Sequence, residues 1–426
     1  MKNKFIKSTI ILIIGGIITK LLAFIIKIYF TRTIKDGINI YSLIMPTYSL
    51  LITITQLGFP IAISNIVAKG EKRGKNIMFS IIPVSIILNI ILIATMLLTA
   101  KYLAVNLLHN KDTYYPLIAL SLVLPFISLS SIIRGYFFGK QQMMPHSVSN
   151  ILEQLFKLLV VLLILPKLMK YGTLIAVIGY ILISIISETF SIIIFLLYLP
   201  KNFTIKKEDI KPDLGTIKDV LSIGLPSTGS RIIGNIGYFL EPIILTNILI
   251  LNGYQASYII KEYAIYNTYV IGLLIVPTFL LGALSTSLLP EISKNIKNKP
   301  KVKRIFKKIM ILTLIYGLIA NITMLLSSKL ILKILFNTQE GITYIKFLAP
   351  FFIIFYFEAP LSSILQAYNE TKYIMKTTTI SIIIKLTSLI LLSFLKIGIY
   401  PLLISEIISI IITVLLNYKK VKKIIA

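Results

Sequence analysis

The chain has 426 residues, 56% hydrophobic and only 14% charged, with 44 Lys and Arg against 16 Asp and Glu for a net charge of +28. At a mean hydropathy of +0.89, that is more apolar surface than one soluble core of this length can hide. The absence of cysteine excludes disulfides and thiolate metal sites, and two lone histidines, His109 and His146, argue against a histidine metal cluster.

In a soluble protein such a charge would point to nucleic acid. In a membrane protein it first reports topology and attraction to anionic lipid headgroups, and no nucleic-acid partner is expected. The chain opens with Lys2, Lys4 and Lys7 before an apolar run, like the start of a signal peptide. The run continues past Phe24 without a small-residue cleavage site, so it is expected to stay as the first span.

Apolar runs near the roughly 20 residues that cross a bilayer recur along the whole chain. They predict twelve spans, at 8–30, 41–67, 77–99, 113–138, 147–166, 172–199, 217–247, 260–290, 305–327, 342–367, 374–396 and 398–417. The expected fold class is therefore an all-α polytopic membrane protein of about twelve transmembrane helices. The segment 201–216 is a polar linker that divides an N-terminal lobe, 1–200, from a C-terminal lobe, 217–426.

A charged side chain near the bilayer centre costs at least about 2.5–3.5 kcal/mol, so it faces a cavity or a partner. The first span carries Lys20 and Lys27, seven residues apart on one helical face with the small residues Gly16 and Ala23. The second reads Tyr48 to Gln56 without a basic residue, and Gln56 is a candidate hydrogen-bond donor to a sugar as well as a helix–helix contact. On the fifth, Glu153 and Lys157 have the spacing and order of an intrahelical ion pair. The seventh offers Arg231 with Asn235 and Tyr238 on the same side, then Glu241; Lys385 lies on the eleventh and Glu406 on the twelfth.

Counted over gaps and helix ends, 27 of the 44 basic residues fall at the termini and even-numbered gaps, and 10 in the gaps on the other side. Both termini are thereby expected in the cytoplasm, with the chain in the cytoplasmic membrane. The two halves also repeat each other. Met45-Pro46-Thr47-Tyr48 is answered by Val276-Pro277-Thr278-Phe279, Ser131 to Tyr136 by Ser363 to Tyr368, and Ile186-Ser187-Glu188 by Ile404-Ser405-Glu406. Six spans per half give both halves the same orientation: two parallel six-helix lobes, a common transporter architecture.

The run Arg134-Gly135-Tyr136-Phe137-Phe138-Gly139-Lys140-Gln141-Gln142-Met143-Met144-Pro145, continuing to Ser149, Glu153 and Gln154, resembles the stage V sporulation protein B group of polysaccharide-export proteins. That group lies close to the MurJ-type lipid II flippases, in the superfamily (MOP) that also holds multidrug and toxic-compound extrusion transporters (MATE). Gly58-Phe59-Pro60 and the two-lobe layout extend the resemblance over nearly the whole chain. The MurJ branch carries an Arg-rich stretch where this chain has Tyr48 to Gln56, so those contacts are not carried over.

The resemblance implies a MOP/MATE-like fold in which the first and seventh spans border a central cleft. Lys20, Lys27 and Arg231, with Asn235 and Gln56, would then form a substrate site for a lipid-linked saccharide diphosphate. In some relatives a sodium ion sits among the seventh, eleventh and twelfth spans. Here Glu241, Lys385 and Glu406 would either couple Na+ or H+ or form a static ion-pair network. No other cofactor is implied, no catalytic residue or metal site is expected, and cell-wall synthesis proteins are candidate partners.

The expected function is thus a flippase, not an enzyme, moving an undecaprenyl-diphosphate-linked saccharide by alternating access. A MATE-type drug or organic-cation antiporter needs carboxylates where the first span bears Lys. A membrane glycosyltransferase needs paired acids in an aqueous loop, whereas Glu208, Asp209 and Asp213 lie in the linker. A non-transporting scaffold for wall or spore-envelope synthesis is the remaining alternative.

Overall fold

The computed structural model describes residues 2–70, 74–199 and 210–425, with side chains described from residue 11 onward except at 286 and 287. Most of the linker (201–209) and the basic residues Lys72 and Arg73 lie outside the described residues. The described chain is helical: α1 (Lys2–Ile34), α2 (Ile38–Gln56), α3 (Phe59–Lys69), α4 (Gly74–Tyr102), α5 (Tyr114–Gly139), α6 (Met143–Met169), α7 (Thr173–Leu197) and α8 (Leu214–Leu251). There follow α9 (Ala256–Ala264), α10 (Ile271–Leu274), α11 (Thr278–Lys294), α12 (Lys299–Phe336), α13 (Ile342–Phe355), α14 (Glu358–Ala367), α15 (Thr371–Ser393) and α16 (Tyr400–Ile425).

Among the described residues, 10 helical stretches are long and apolar enough to cross a membrane, and 11 when one bent pair counts as a span. The first of them, Ile11–Lys69, covers 59 residues, two crossings' worth, and Lys35 interrupts it with a left-handed φ of 46°. That accounts for the expected twelve.

Three expected spans are broken rather than continuous. The second breaks at Leu57 (φ 41°) and Gly58 (φ 68°), two successive left-handed residues after which Phe59-Pro60 opens α3. A side chain at Gly58 would also strike the Gly224 carbonyl oxygen at 2.6 Å, so both space and backbone demand glycine there. The eighth bends by 52° between α10 and α11, where Pro277 supplies no N–H to continue the ladder. The tenth divides into α13 and α14.

The chain forms two compact units, Met1–Asn235 and Ile236–Ala426. The start of α8 belongs to the first. Asp213 caps it, accepting from the Gly215 and Thr216 N–H groups at 3.1 and 2.9 Å, while its own N–H donates to Ser80 of α4 at 3.0 Å. Val220 then joins the core built from Phe59, Ile63, Ile81, Phe137 and Phe195.

In lipid, helices associate by close packing rather than by hydrophobic drive, so small residues at crossings matter. Gly135 and Gly139 of α5 stand one turn apart beneath α3, where added side chains would meet Ile63 at 2.9 Å and Val67 at 2.5 Å. The Arg134-Gly135-Tyr136-Phe137-Phe138-Gly139 run is thus a helix-packing motif in this structure.

The second unit repeats the pattern. Gln141 (φ 57°) and Asn369 (φ 59°) are left-handed residues that follow α5 and α14 at the same distance. At that register Gly135 and Gly139 answer Ser363 and Ala367, both buried against the core of Ile292, Leu361, Ile364 and Val421. The sequence pairing of Ser131 with Ser363 is one helical turn away from this.

Candidate functional site

In the first unit, α1 gives one face to α6 and leaves another open. A side chain at Gly15 would lie 2.8 Å from Ser147 of α6, whereas nothing lies within 4 Å of Gly16. On that open face Lys20 and Ala23 are exposed, and Lys27, a turn further on, is half-buried. The spacing that grouped these residues in the sequence does place them on one unpacked stripe.

Asn235 of α8 makes a contact with α2 that the sequence did not reveal. Asn235 Nδ2 donates to Thr53 Oγ1 of α2 at 2.6 Å. α2 and α8 run antiparallel here, as the contact of Gly224 with the Leu57 carbonyl one end further on confirms. Arg231 is exposed, Gln56 is half-buried, and Gly234 has nothing within 4 Å. Arg231 and Asn235, one turn apart on α8 beside the open space at Gly234, offer donors for an anionic or hydroxylated group.

α2 also takes part in a buried polar knot that sequence reading passed over. Thr55 of α2 donates to Asn89 Oδ1, and Asn89 Nδ2 donates to Ser128 Oγ and the Ser85 carbonyl, each at 2.8 Å. The signal was Asn89, an amide in the middle of the largely apolar α4.

The first unit also holds a buried charge cluster. The Glu153–Lys157 ion pair expected from i, i+4 spacing is absent. Lys157 Nζ instead donates to Ser184 Oγ of α7 at 2.9 Å and lies 5.2 Å from the Tyr180 ring centre. Glu153 and Glu188 remain within electrostatic reach of it, and one oxygen of Glu188 is buried without a hydrogen-bond partner. Arg134 donates to Asn150 Oδ1 at 3.4 Å.

The second unit gathers Glu241, Lys385 and Glu406 into one contact. Lys385 Nζ, on α15, lies 2.5 Å from Glu241 Oε1 of α8 and also pairs with Glu406 Oε2 of α16. Its side chain is 12% exposed, those of the two glutamates 5% and 19%. One ammonium between two carboxylates leaves a formal charge of −1 in a nearly dry place. Glu358, which the sequence reading did not single out, lies within electrostatic reach of Glu406. Nearby, the Tyr238 hydroxyl donates to Asn267 Oδ1 at 2.8 Å, so Tyr238 faces the second unit's interior. Among the described residues, no three or more His, Cys, Asp and Glu side chains are grouped to hold a metal ion.

Comparison with known proteins sets this geometry in a family. The model for polysaccharide biosynthesis proteins matches residues 5–296 and the model named MatE matches 242–391. Stage V sporulation protein B of Bacillus subtilis is 34% identical over 401 residues, which span 90% of this chain and 77% of that protein. The chain belongs to the polysaccharide biosynthesis protein family of the MOP superfamily. The lipid II flippase MurJ of the same organism is similar at 24% identity, over 91% of this chain and 77% of that one. A multidrug resistance MATE family transporter in an inward-facing conformation shares the fold, with a TM-score of 0.79 at 16% identity over 96% of this chain and 94% of that one.

The protein is a multi-pass membrane transporter of this superfamily, with a MATE-like fold. Within the family framework, the glycine-rich run that carried the resemblance is accounted for by packing, whereas Arg231 and Lys20 are exposed.

Proposed function

We propose that this transporter is a flippase that exports an undecaprenyl-diphosphate-linked saccharide, lipid II or a related wall-polysaccharide precursor, across the cytoplasmic membrane by alternating access. The observation that carries this reading is the cationic set of the first unit: exposed Arg231, one turn from Asn235 on α8, with Gln56 at the end of α2, and exposed Lys20 with half-buried Lys27 on α1. Arg offers a diphosphate paired hydrogen bonds, Lys a mobile point charge, and the amides offer donors to the sugar.

The chemistry is one of binding and release, with no covalent step. The distribution of basic residues supports a topology with both termini in the cytoplasm. A potential negative inside then drives an anionic headgroup outward, by about 2.3 kcal/mol per charge per 100 mV. Na+ or H+ as coupling ion fits the excess negative charge at Glu241, Lys385 and Glu406, since either would neutralise it. Anionic lipids and cell-wall synthesis proteins complete the proposed partners.

A second reading, a drug or organic-cation antiporter, is favoured by the MatE match over 242–391 and by the MATE-like fold. Against it, the carboxylates of the second unit that would attract a cation already hold Lys385. The test is rescue of a bacterium whose own lipid II flippase is depleted. Growth with the wild type, and none with equally expressed Lys20→Ala or Arg231→Ala, supports the proposal. Failure of well-expressed wild type, together with conferred resistance to cationic drugs, selects the antiporter. Failure on both counts points to the scaffold.

A further inference from the structure

The second unit carries a lateral groove of about 820 Å³ between α12, the α13–α14 pair and α16. Leu361 and Val414 form its buried floor, and Met310, Leu314 and Leu415 line its length. At one end stand Lys303 and Lys307, spaced i, i+4 on a single helical face and both exposed.

The depth of the groove follows from the length of α12. Its 38 residues extend about 57 Å at 1.5 Å per residue, against a hydrocarbon layer of about 30 Å. The first turns of α12 therefore stand in the headgroup layer, and the groove leads from there down to Leu314, two turns past Lys307. Phe306, between the two lysines in sequence, has its ring centre 6.0 Å from that of Tyr418, an aromatic pair at the level where such rings mark the membrane interface.

The charges at this end are unbalanced in a specific way. Lys301 pairs with Glu291 at 3.8 Å and Lys420 with Glu370 at 2.7 Å. Lys303 and Lys307 make no ion pair or hydrogen bond among the described residues, although their stems border the apolar groove. Two unspent ammonium groups above a slot lined by aliphatic side chains match a phosphate headgroup above an acyl chain.

We propose that this groove is a binding site for a phospholipid with an anionic headgroup, its phosphate held by Lys303 and Lys307 and one acyl chain laid along Met310, Leu314 and Leu415. The site lies within the second unit and does not depend on which substrate is moved. Each lysine near an anionic headgroup contributes about fivefold to the preference.

The chain has no tryptophan, so a single reporter is simple to place. Leu415→Trp, in the purified full chain reconstituted in bilayers, is quenched by brominated phosphatidylglycerol or brominated phosphatidylcholine. The expected result is a preference of at least fivefold for phosphatidylglycerol, falling to near one in Lys303→Ala/Lys307→Ala and returning in Lys303→Arg/Lys307→Arg. A reporter on the exposed lipid side of α6, Leu163→Trp, shows a ratio near one throughout. Leu314→Trp repeats the measurement should Leu415→Trp disturb folding. Equal quenching by the two lipids overturns the proposal, as does a preference that survives loss of both lysines or is matched at Leu163→Trp.

Discussion

Lys157 and Lys385 occupy the same place in the two halves, each sixteen residues after the left-handed residue that opens the fifth and eleventh spans. Each is accompanied by repeat-related glutamates one helix further on, Glu188 and Glu406. Their surroundings nevertheless differ. Lys385 is clasped by two carboxylates, one from α8 and one from α16, and so ties three helices together. Lys157 has a hydroxyl and an aromatic face instead, with its carboxylates near but not in contact. One source of the difference is α8, which supplies Glu241 to the cluster of the second unit. One lysine is closed in a double ion pair; the other is held by a hydroxyl and a ring.

Removing the clasp should produce the largest effect. Lys385→Met strands two carboxylates in a dry site, a loss expected to reach about 3–5 kcal/mol, read as a lowered melting temperature in detergent. Adding Glu241→Gln and Glu406→Gln to that variant should restore most of the stability, because the stranded charges go with them. No recovery would mean that Lys385 stabilises through packing alone.

Lys157→Met should cost less, about 1–3 kcal/mol, since one hydrogen bond to Ser184 is lost and no direct ion pair is broken. Equal losses at the two lysines would erase the distinction between the halves. Smallest is the contact that aligns α2 with α8. Asn235→Leu should cost about 0.6 and at most about 1.7 kcal/mol, typical of side-chain hydrogen bonds between membrane helices. Its effect on transport should exceed its effect on melting, because it frees the α2–α8 contact one turn from Arg231.

The helical fold was legible because span length and apolar composition are simple quantities. The broken helices were harder. The break at Leu57 depends on a non-glycine residue in the left-handed region, and the Gly58–Gly224 approach depends on a partner 166 residues away. At the candidate site, Lys20, Ala23 and Gly16 could be grouped from helical periodicity within one segment. Asn235 with Thr53, and Asn89 with Thr55 and Ser128, required knowledge of which helices touch. The Glu153–Lys157 expectation failed for a related reason: intrahelical spacing was right, but Ser184 and Tyr180 on the adjacent helix offered the ammonium a nearer acceptor and a ring.

The most direct test of the account is a transfer measurement in proteoliposomes under an imposed potential. An undecaprenyl-diphosphate-linked saccharide with a labelled headgroup would be followed by its accessibility to a membrane-impermeant reagent. The account predicts transfer by the wild type and a loss of about tenfold or more in Lys20→Ala/Arg231→Ala, with that variant melting as the wild type does, because exposed charges contribute little to stability. Transfer by the double variant at the wild-type rate, or none by well-folded wild type, would contradict it.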